Sequence, residues 1–280
     1  MHTFPAPAKL NLFLHVVGRK PDGYHLLQTV FRFIDFSDQL SFDIRTDGLI
    51  KLHTPLSGVP EDNDLCVRAA KLLKQETRTD QGVDIFLHKQ IPMGGGLGGG
   101  SSDAATTLLA LNHLWKLSLH KDRLLELGLQ LGADVPVFIF GHNAFAEGIG
   151  EQLAVIELPA AWYMVLVPPV QVSTAEIFAS KELTRNTLPI KIPPFSVWQG
   201  HNDLEAVVCQ RYPEVARCLE WLKRLEHTTI ARMSGSGSCV FAEFATEAEA
   251  QVAFEQLPSN MKGFIAKGLH HHPLRDLMNE

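Results

Sequence analysis

The sequence is short of cysteine. The four it has, Cys66, Cys209, Cys218 and Cys239, stand far apart, with no C-x-x-C pair and no zinc-ligand spacing. That excludes a disulfide scaffold and a zinc finger, and the expectation is a reduced, cytoplasmic protein with small buried thiols. Long apolar runs are also missing. Leu10 to Val17 is interrupted by Asn11 and His15 and follows two prolines. It is therefore neither a signal peptide nor one of the ~18-residue spans that cross a bilayer. Basic charge is in deficit: 25 Lys and Arg against 31 Asp and Glu leave a net charge of −6. That sign disfavours nucleic acid as a main partner. Blocks of like charge, internal repeats and low-complexity segments are absent too. Three adjacent histidines, His270 to His272, do not converge on one ion without straining the backbone, so no metal site is expected.

What is present is the balance of a globular protein, 45% hydrophobic and 20% charged over 280 residues. The segment from Ala8 to Val17 alternates, so Lys9 and Asn11 share one strand face, with Phe13 and His15 predicted beside them. Pro21-Asp22-Gly23 is a turn, and further strands are predicted at 28–35, 38–45, 83–89, 161–167 and 263–267. Helical stripes follow Asn63, follow the glycine-rich stretch, and cover 121–131, 202–211 and 213–225. Capping boxes at Ser173/Glu176 and Thr246/Glu249 open two more helices. Strands and helices mix without a βα repeat, which predicts two α+β domains, 1–152 and 153–280.

Residues 90–105, Q-I-P-M-G-G-G-L-G-G-G-S-S-D-A-A, carry the strongest signal. Six glycines in seven residues are an entropic liability in ordinary structure. Their advantage is a backbone whose N–H groups can wrap an anion. The helix that follows adds unpaired N–H groups and a positive dipole end, and Ser101 and Ser102 are placed to cap it and to offer hydroxyls to phosphate. A flexible linker is the bland alternative, but linkers do not usually separate a strand from an amphipathic helix. The Walker lysine is absent after the loop. The acidic residue of a dinucleotide site is missing as well, since Leu119 and His120 stand where it is expected.

This stretch resembles the second motif of the GHMP kinases. P-A-K-L-N-L-F-L-H at the start and M-S-G-S-G-S-C-V-F near the end resemble the first and third, in the right order. The resemblance implies an α+β, two-domain fold: a ribosomal-protein-like N-terminal domain and a ferredoxin-like C-terminal one. It also implies a kinase using ATP and Mg2+ on a small alcohol. Three further stretches, P-D-G-Y-H-x-L-Q-T-V-F, G-A-D-V-P-V-F and F-x(6)-R-N-T, resemble the branch of the family that phosphorylates a cytidine-diphosphate-linked methylerythritol. Kinases of the homoserine or mevalonate type are the alternative. A non-catalytic RNA-binding module is a third reading, disfavoured by the acidic charge.

The same resemblance assigns roles. Asp134 becomes the catalytic base and Lys9 its electrostatic partner. Read alone, Asp134 is more often a cap or turn residue and Lys9 more often a solvent-facing strand residue. The loop Pro92, Met93, Gly94, Gly95, Gly96, Leu97, Gly98, Gly99, Gly100, Ser101 and Ser102 would hold ATP. Asn11, Tyr24, His25, Thr174 and Phe178 would bind substrate, with Tyr24 and Phe178 stacking on the cytosine. Asp64 departs from the family pattern, which has Asn there near the adenine. The expected assembly is a monomer or weak homodimer, with no nucleic acid or membrane partner.

Overall fold

The computed structural model describes residues 1–190 and 200–278. Its frame is a long hairpin, β1 (His2–Arg19) against β2 (His25–Arg45), antiparallel from end to end. The Pro-Asp-Gly turn closes it: Gly23 takes a φ of +95°, and Lys20 N–H donates to the Tyr24 carbonyl at 2.7 Å. The two strands predicted at 28–35 and 38–45 are one strand, kinked where the register shifts opposite Pro7/Ala8.

β2 spends its other edge twice. Gln39–Arg45 pairs with β4 (Gly82–His88), and Thr29–Phe31 with β5 (Ala144–Glu147). β3 (Ile50–Leu52) and β6 (Gln152–Val155) complete this sheet. Helices α1 (Leu65–Thr77), α2 (Gly99–Leu114), α3 (Lys121–Leu131) and α4 (Val135–Phe140) belong to the same half of the chain. Phe33, Phe42 and Ile85 of the sheet meet Leu108, Leu111 and Trp115 of α2 in one apolar core.

The second sheet runs β10-β7-β9-β8, from β7 (Trp162–Leu166), β8 (Ile230–Met233), β9 (Val240–Phe244) and β10 (Gly263–Lys267). Its helices are α5 (Thr174–Phe178), α6 (Glu205–Arg211), α7 (Pro213–Leu222) and α8 (Glu247–Glu255). The strand order, 4-1-3-2 within this half, is that of a ferredoxin-like unit. The capping box at Thr246/Glu249 closes in both directions, while Ser173 accepts only from Glu176 N–H.

The alternation predicted for β1 fails at one place, for a visible reason. A register shift between Asn11 and Leu14 turns Phe13 away from the Lys9 face, and with it His15, whose ring lies 4.8 Å from that of Phe13; Leu14 faces the cleft instead. Phe13 packs with Leu10 and Leu12 against Tyr163, Val165 and Phe241, the cluster that joins the two sheets. After β10 the chain returns to the first half. Leu269 N–H donates to the Phe33 carbonyl, His272 N–H to the Gly141 carbonyl, and Leu274 enters the first core.

Candidate active site

A cleft of about 1010 Å³ lies among the glycine-rich loop, the β1–β2 turn, the start of α4, α5 and the β8–β9 loop. It gathers every residue singled out above as catalytic, nucleotide-binding or substrate-binding except Ser102. Ser102 is fully buried behind the loop, with its hydroxyl unpartnered. The predicted serine caps are also displaced. α2 begins one residue after Gly98, which has a φ of +72° and supplies no side-chain cap, so Ser101 and Ser102 sit inside the first turn.

The loop is held from outside by its carbonyls. Lys9 N–H bonds the Leu97 carbonyl at 2.9 Å, Cys239 N–H that of Gly95 at 3.1 Å, and the Ser234 hydroxyl that of Gly96 at 2.9 Å. Among the described residues, the N–H groups of Gly96, Leu97 and Gly98 have no protein partner. The absence of side chains is obligatory here. A Cβ on Gly96 would stand 2.1 Å from the Ser234 carbonyl oxygen, and one on Gly98 3.0 Å from Lys9 Cε and Phe138 Cζ. Free donors on a side-chain-free backbone, running into a helix N-terminus, fit a polyphosphate.

Lys9 is not a solvent-facing strand residue: it is 2% exposed. Its ammonium donates to Asn11 Oδ1 at 2.5 Å and the Gly96 carbonyl at 3.3 Å, and it stands 3.4 Å from Asp134 Oδ2. Asn11 is oriented in turn by Thr29 Oγ1, which accepts from its amide at 2.9 Å. Asp134 occupies the N-cap position of α4 but makes no capping hydrogen bond. Its carboxylate, 39% exposed, turns instead to Lys9 and the cleft. Asp64 does the opposite. It is buried and caps α1 by accepting from Cys66 N–H and Val67 N–H, which explains an acid at that position.

At the other end, Tyr24 stands out from the turn, 61% exposed. Phe178 lies against His25, ring centroids 4.9 Å apart and planes tilted by 31°. The Thr174 and Ser236 hydroxyls are in contact at 2.6 Å, joining α5 to the β8–β9 loop. Burial, then the guanidiniums of Arg185 and Arg19, lower the His25 pKa from its ordinary value, so the ring is neutral near pH 7.

Sequence reasoning overlooked a charged cluster at the cleft floor. Lys89 bridges Asp38 and, at 2.8 Å, Asp103, while Asp38 accepts from Gln90 N–H and Ile91 N–H at the loop entry. A lysine three residues before Pro92 and an aspartate just after Ser102 were the available signals. Among the described residues, no group of three or more His, Cys, Asp or Glu side chains is placed to hold a metal ion, and no helix is long and apolar enough to cross a membrane.

Comparison with known proteins agrees with this geometry. Residues 64–142 match the GHMP kinases N terminal domain, and residues 198–263 the GHMP kinases C terminal model. A protein of Nitrosospira multiformis named 4-diphosphocytidyl-2-C-methyl-D-erythritol kinase is 69% identical, over 99% of this chain and 94% of its own. One of Nitrosomonas europaea with the same name is 62% identical, over 99% and 100%. The crystal structure of a 4-(cytidine 5'-diphospho)-2C-methyl-D-erythritol kinase superposes with a TM-score of 0.83 at 32% identity, covering 95% of this chain and 99% of that one. The mevalonate kinase of Methanococcus jannaschii, with a TM-score of 0.67 at 15% identity, shares the fold alone. With relatives this similar along nearly its whole length, the chain belongs to the GHMP kinase family, in the group of the 4-diphosphocytidyl-2-C-methyl-D-erythritol kinases.

Proposed function

We propose that this kinase transfers the γ-phosphoryl group of ATP to the 2-hydroxyl of 4-diphosphocytidyl-2-C-methyl-D-erythritol, on the non-mevalonate route to isoprenoid precursors. The observation that carries the reading is the Asp134 carboxylate. It stands at a helix start yet caps nothing, and it faces a buried lysine beside a phosphate-sized cradle.

Phosphoryl transfer asks a protein for positioning and charge more than for covalent chemistry. In this reading the Gly94–Gly100 backbone, with Pro92, Met93 and Ser101 around it, holds the nucleotide, and ATP supplies the phosphoryl group. Asp134 accepts the hydroxyl proton of the substrate. Lys9 holds that carboxylate and the developing phosphoryl charge together, and Asn11 fixes the direction of its ammonium. Magnesium belongs to the proposal as a companion of the nucleotide phosphates, the usual way a small hard cation enters such sites. Tyr24, His25, Thr174 and Phe178 bind the cytidyl part. Two functional units, 1–152 and 153–280, a cytoplasmic location, and a monomer or weak dimer complete the reading.

An ADP-release assay over a panel of alcohols, with and without the cytidyl group, tests it. The cytidyl-linked methylerythritol should be turned over far faster than mevalonate or homoserine. Equal rates on a small free alcohol would overturn the substrate assignment.

A further inference from the structure

Arg185, the arginine of the F-x(6)-R-N-T stretch, has no part in the transfer described above, yet every nitrogen of its guanidinium is hydrogen-bonded beside the cleft residues His25 and Phe178. Its Nη1 donates to the Leu183 carbonyl at 3.1 Å. Its Nη2 donates to the carbonyls of Phe178 at 2.9 Å and Ser180 at 2.6 Å. Three carbonyls, one from the last residue of α5 and two from the loop after it, thus fix the planar fork. Its Nε donates to Nε2 of His25, at the cleft wall, at 3.0 Å.

This last bond has a chemical consequence. A guanidinium accepts no hydrogen bond and does not lose its proton in a protein. Nε2 of His25 must therefore be bare, and the single hydrogen of the neutral ring must sit on Nδ1. Nδ1 has no partner among the described residues and is not sealed from solvent. His25 faces the cleft as a donor only.

We infer that Arg185 is a positioning residue for base selection: by freezing His25 as an Nδ1–H donor, it makes the site demand an acceptor at position 3 of the pyrimidine. Both bases present an acceptor at O2, but only cytosine presents one at N3. Uracil carries a hydrogen on N3, and a donor facing that position meets another donor. Stacking does not discriminate between the two bases, since every base has a π-face. Hydrogen-bond polarity does, because a mismatched buried group is left unpaired. The inference rests on the cytidyl reading proposed above and adds to it the device that rejects uridyl compounds.

The test has two arms. In the first, protein labelled with 15N-histidine is examined by long-range proton–nitrogen NMR without ligand, and the His25 signals are assigned by their loss in His25→Gln. The wild-type ring should carry its hydrogen on Nδ1, and Arg185→Met should release it to the other tautomer or a mixture. In the second, kcat/KM is compared for cytidyl- and uridyl-linked methylerythritol. Arg185→Met should lower the preference by about ten-fold, the scale of one unpaired buried hydrogen bond. The loss should fall on KM for the cytidyl compound, with KM for ATP unchanged.

A wild-type His25 with its hydrogen on Nε2 overturns the inference, even if no Arg185 variant folds. So does an Arg185→Met enzyme that loses activity equally on both compounds, which is the signature of a purely structural loop staple. A wild-type enzyme that ignores cytidyl-linked substrate would defeat the cytidyl substrate assignment instead. The NMR arm needs no substrate and separates the two failures.

Discussion

At the residue scale, Asp134 separates chemistry from folding. It makes no capping bond and is 39% exposed, but its carboxylate faces the buried Lys9 ammonium. Asp134→Asn should therefore still fold, with a lower melting temperature from the uncompensated lysine. Turnover should fall by ~10²-fold or more, since the amide accepts no proton. A folded variant with near-normal turnover in the ADP-release assay would remove Asp134 from the chemistry. Gly98 offers a complementary test. Its φ is +72°, and a methyl added there would lie 3.0 Å from Lys9 Cε, so Gly98→Ala both strains the backbone and pushes on the lysine. A strained αL residue costs about 1–3 kcal/mol, and turnover should fall with it. Gly58→Ala is the control: φ is +80°, but nothing lies within 4 Å. It should show the strain in a melting curve and no change in turnover. If Gly98→Ala also keeps full turnover, the loop does not hold Lys9 in place.

At the element scale, strong local chemistry was readable and remote pairing was not. The Pro-Asp-Gly turn, α3 over Lys121–Leu131 and β10 over Gly263–Lys267 stand where periodicity and turn residues put them. β5 and β6 went unread, because four-residue strands carry too little alternation to register. Lys9 read as solvent-facing because what covers it is remote in sequence: Gly96 and Gly98 of the glycine-rich loop, Phe31 of β2 and Asp134 before α4. The cluster below α2 was invisible for the same reason, and it makes a prediction. Burial, partly offset by Lys89 and reinforced by Asp38, raises the Asp103 carboxyl from 3.8 to about 8. The folded state thus keeps a proton that the unfolded state releases above pH 4. The resulting stability is full below that value and drains away as pH climbs toward 8. Asp103→Asn removes the titration and leaves Asp38 to pair with Lys89. Its melting temperature should vary less between pH 5 and pH 8.5 than that of wild type, and should exceed wild type at the upper end. Parallel profiles for the two proteins would mean that Asp103 does not hold the proton.

At the scale of the whole molecule, the cleft exists because two sheets share a core and the chain crosses between them twice. Phe13 and Leu10 of β1 lock onto Tyr163 and Phe241, and the tail after β10 returns to seat Leu274 beneath the first sheet. The substrate site is thus assembled from both halves: Tyr24 and His25 come from the β1–β2 turn, Thr174 and Phe178 from α5. A ligand that touches both should stabilise the whole protein by mass action, by about 2.7 kcal/mol at a hundred times its Kd. Tyr24 is 61% exposed, so Tyr24→Ala should melt at the wild-type temperature without ligand. Base-on-aromatic stacking is worth ~1–3 kcal/mol, and a ten-fold loss of affinity would shrink the ligand's stabilisation to about 1.4 kcal/mol at the same concentration. The shift produced by ATP should be the same in both proteins, because the glycine-rich cradle does not involve Tyr24. Thermal melts with the cytidyl compound and with ATP, on both proteins, give all four numbers. If the cytidyl compound protects Tyr24→Ala as well as wild type, the exposed tyrosine is not a stacking platform, and base recognition falls to His25 and Phe178.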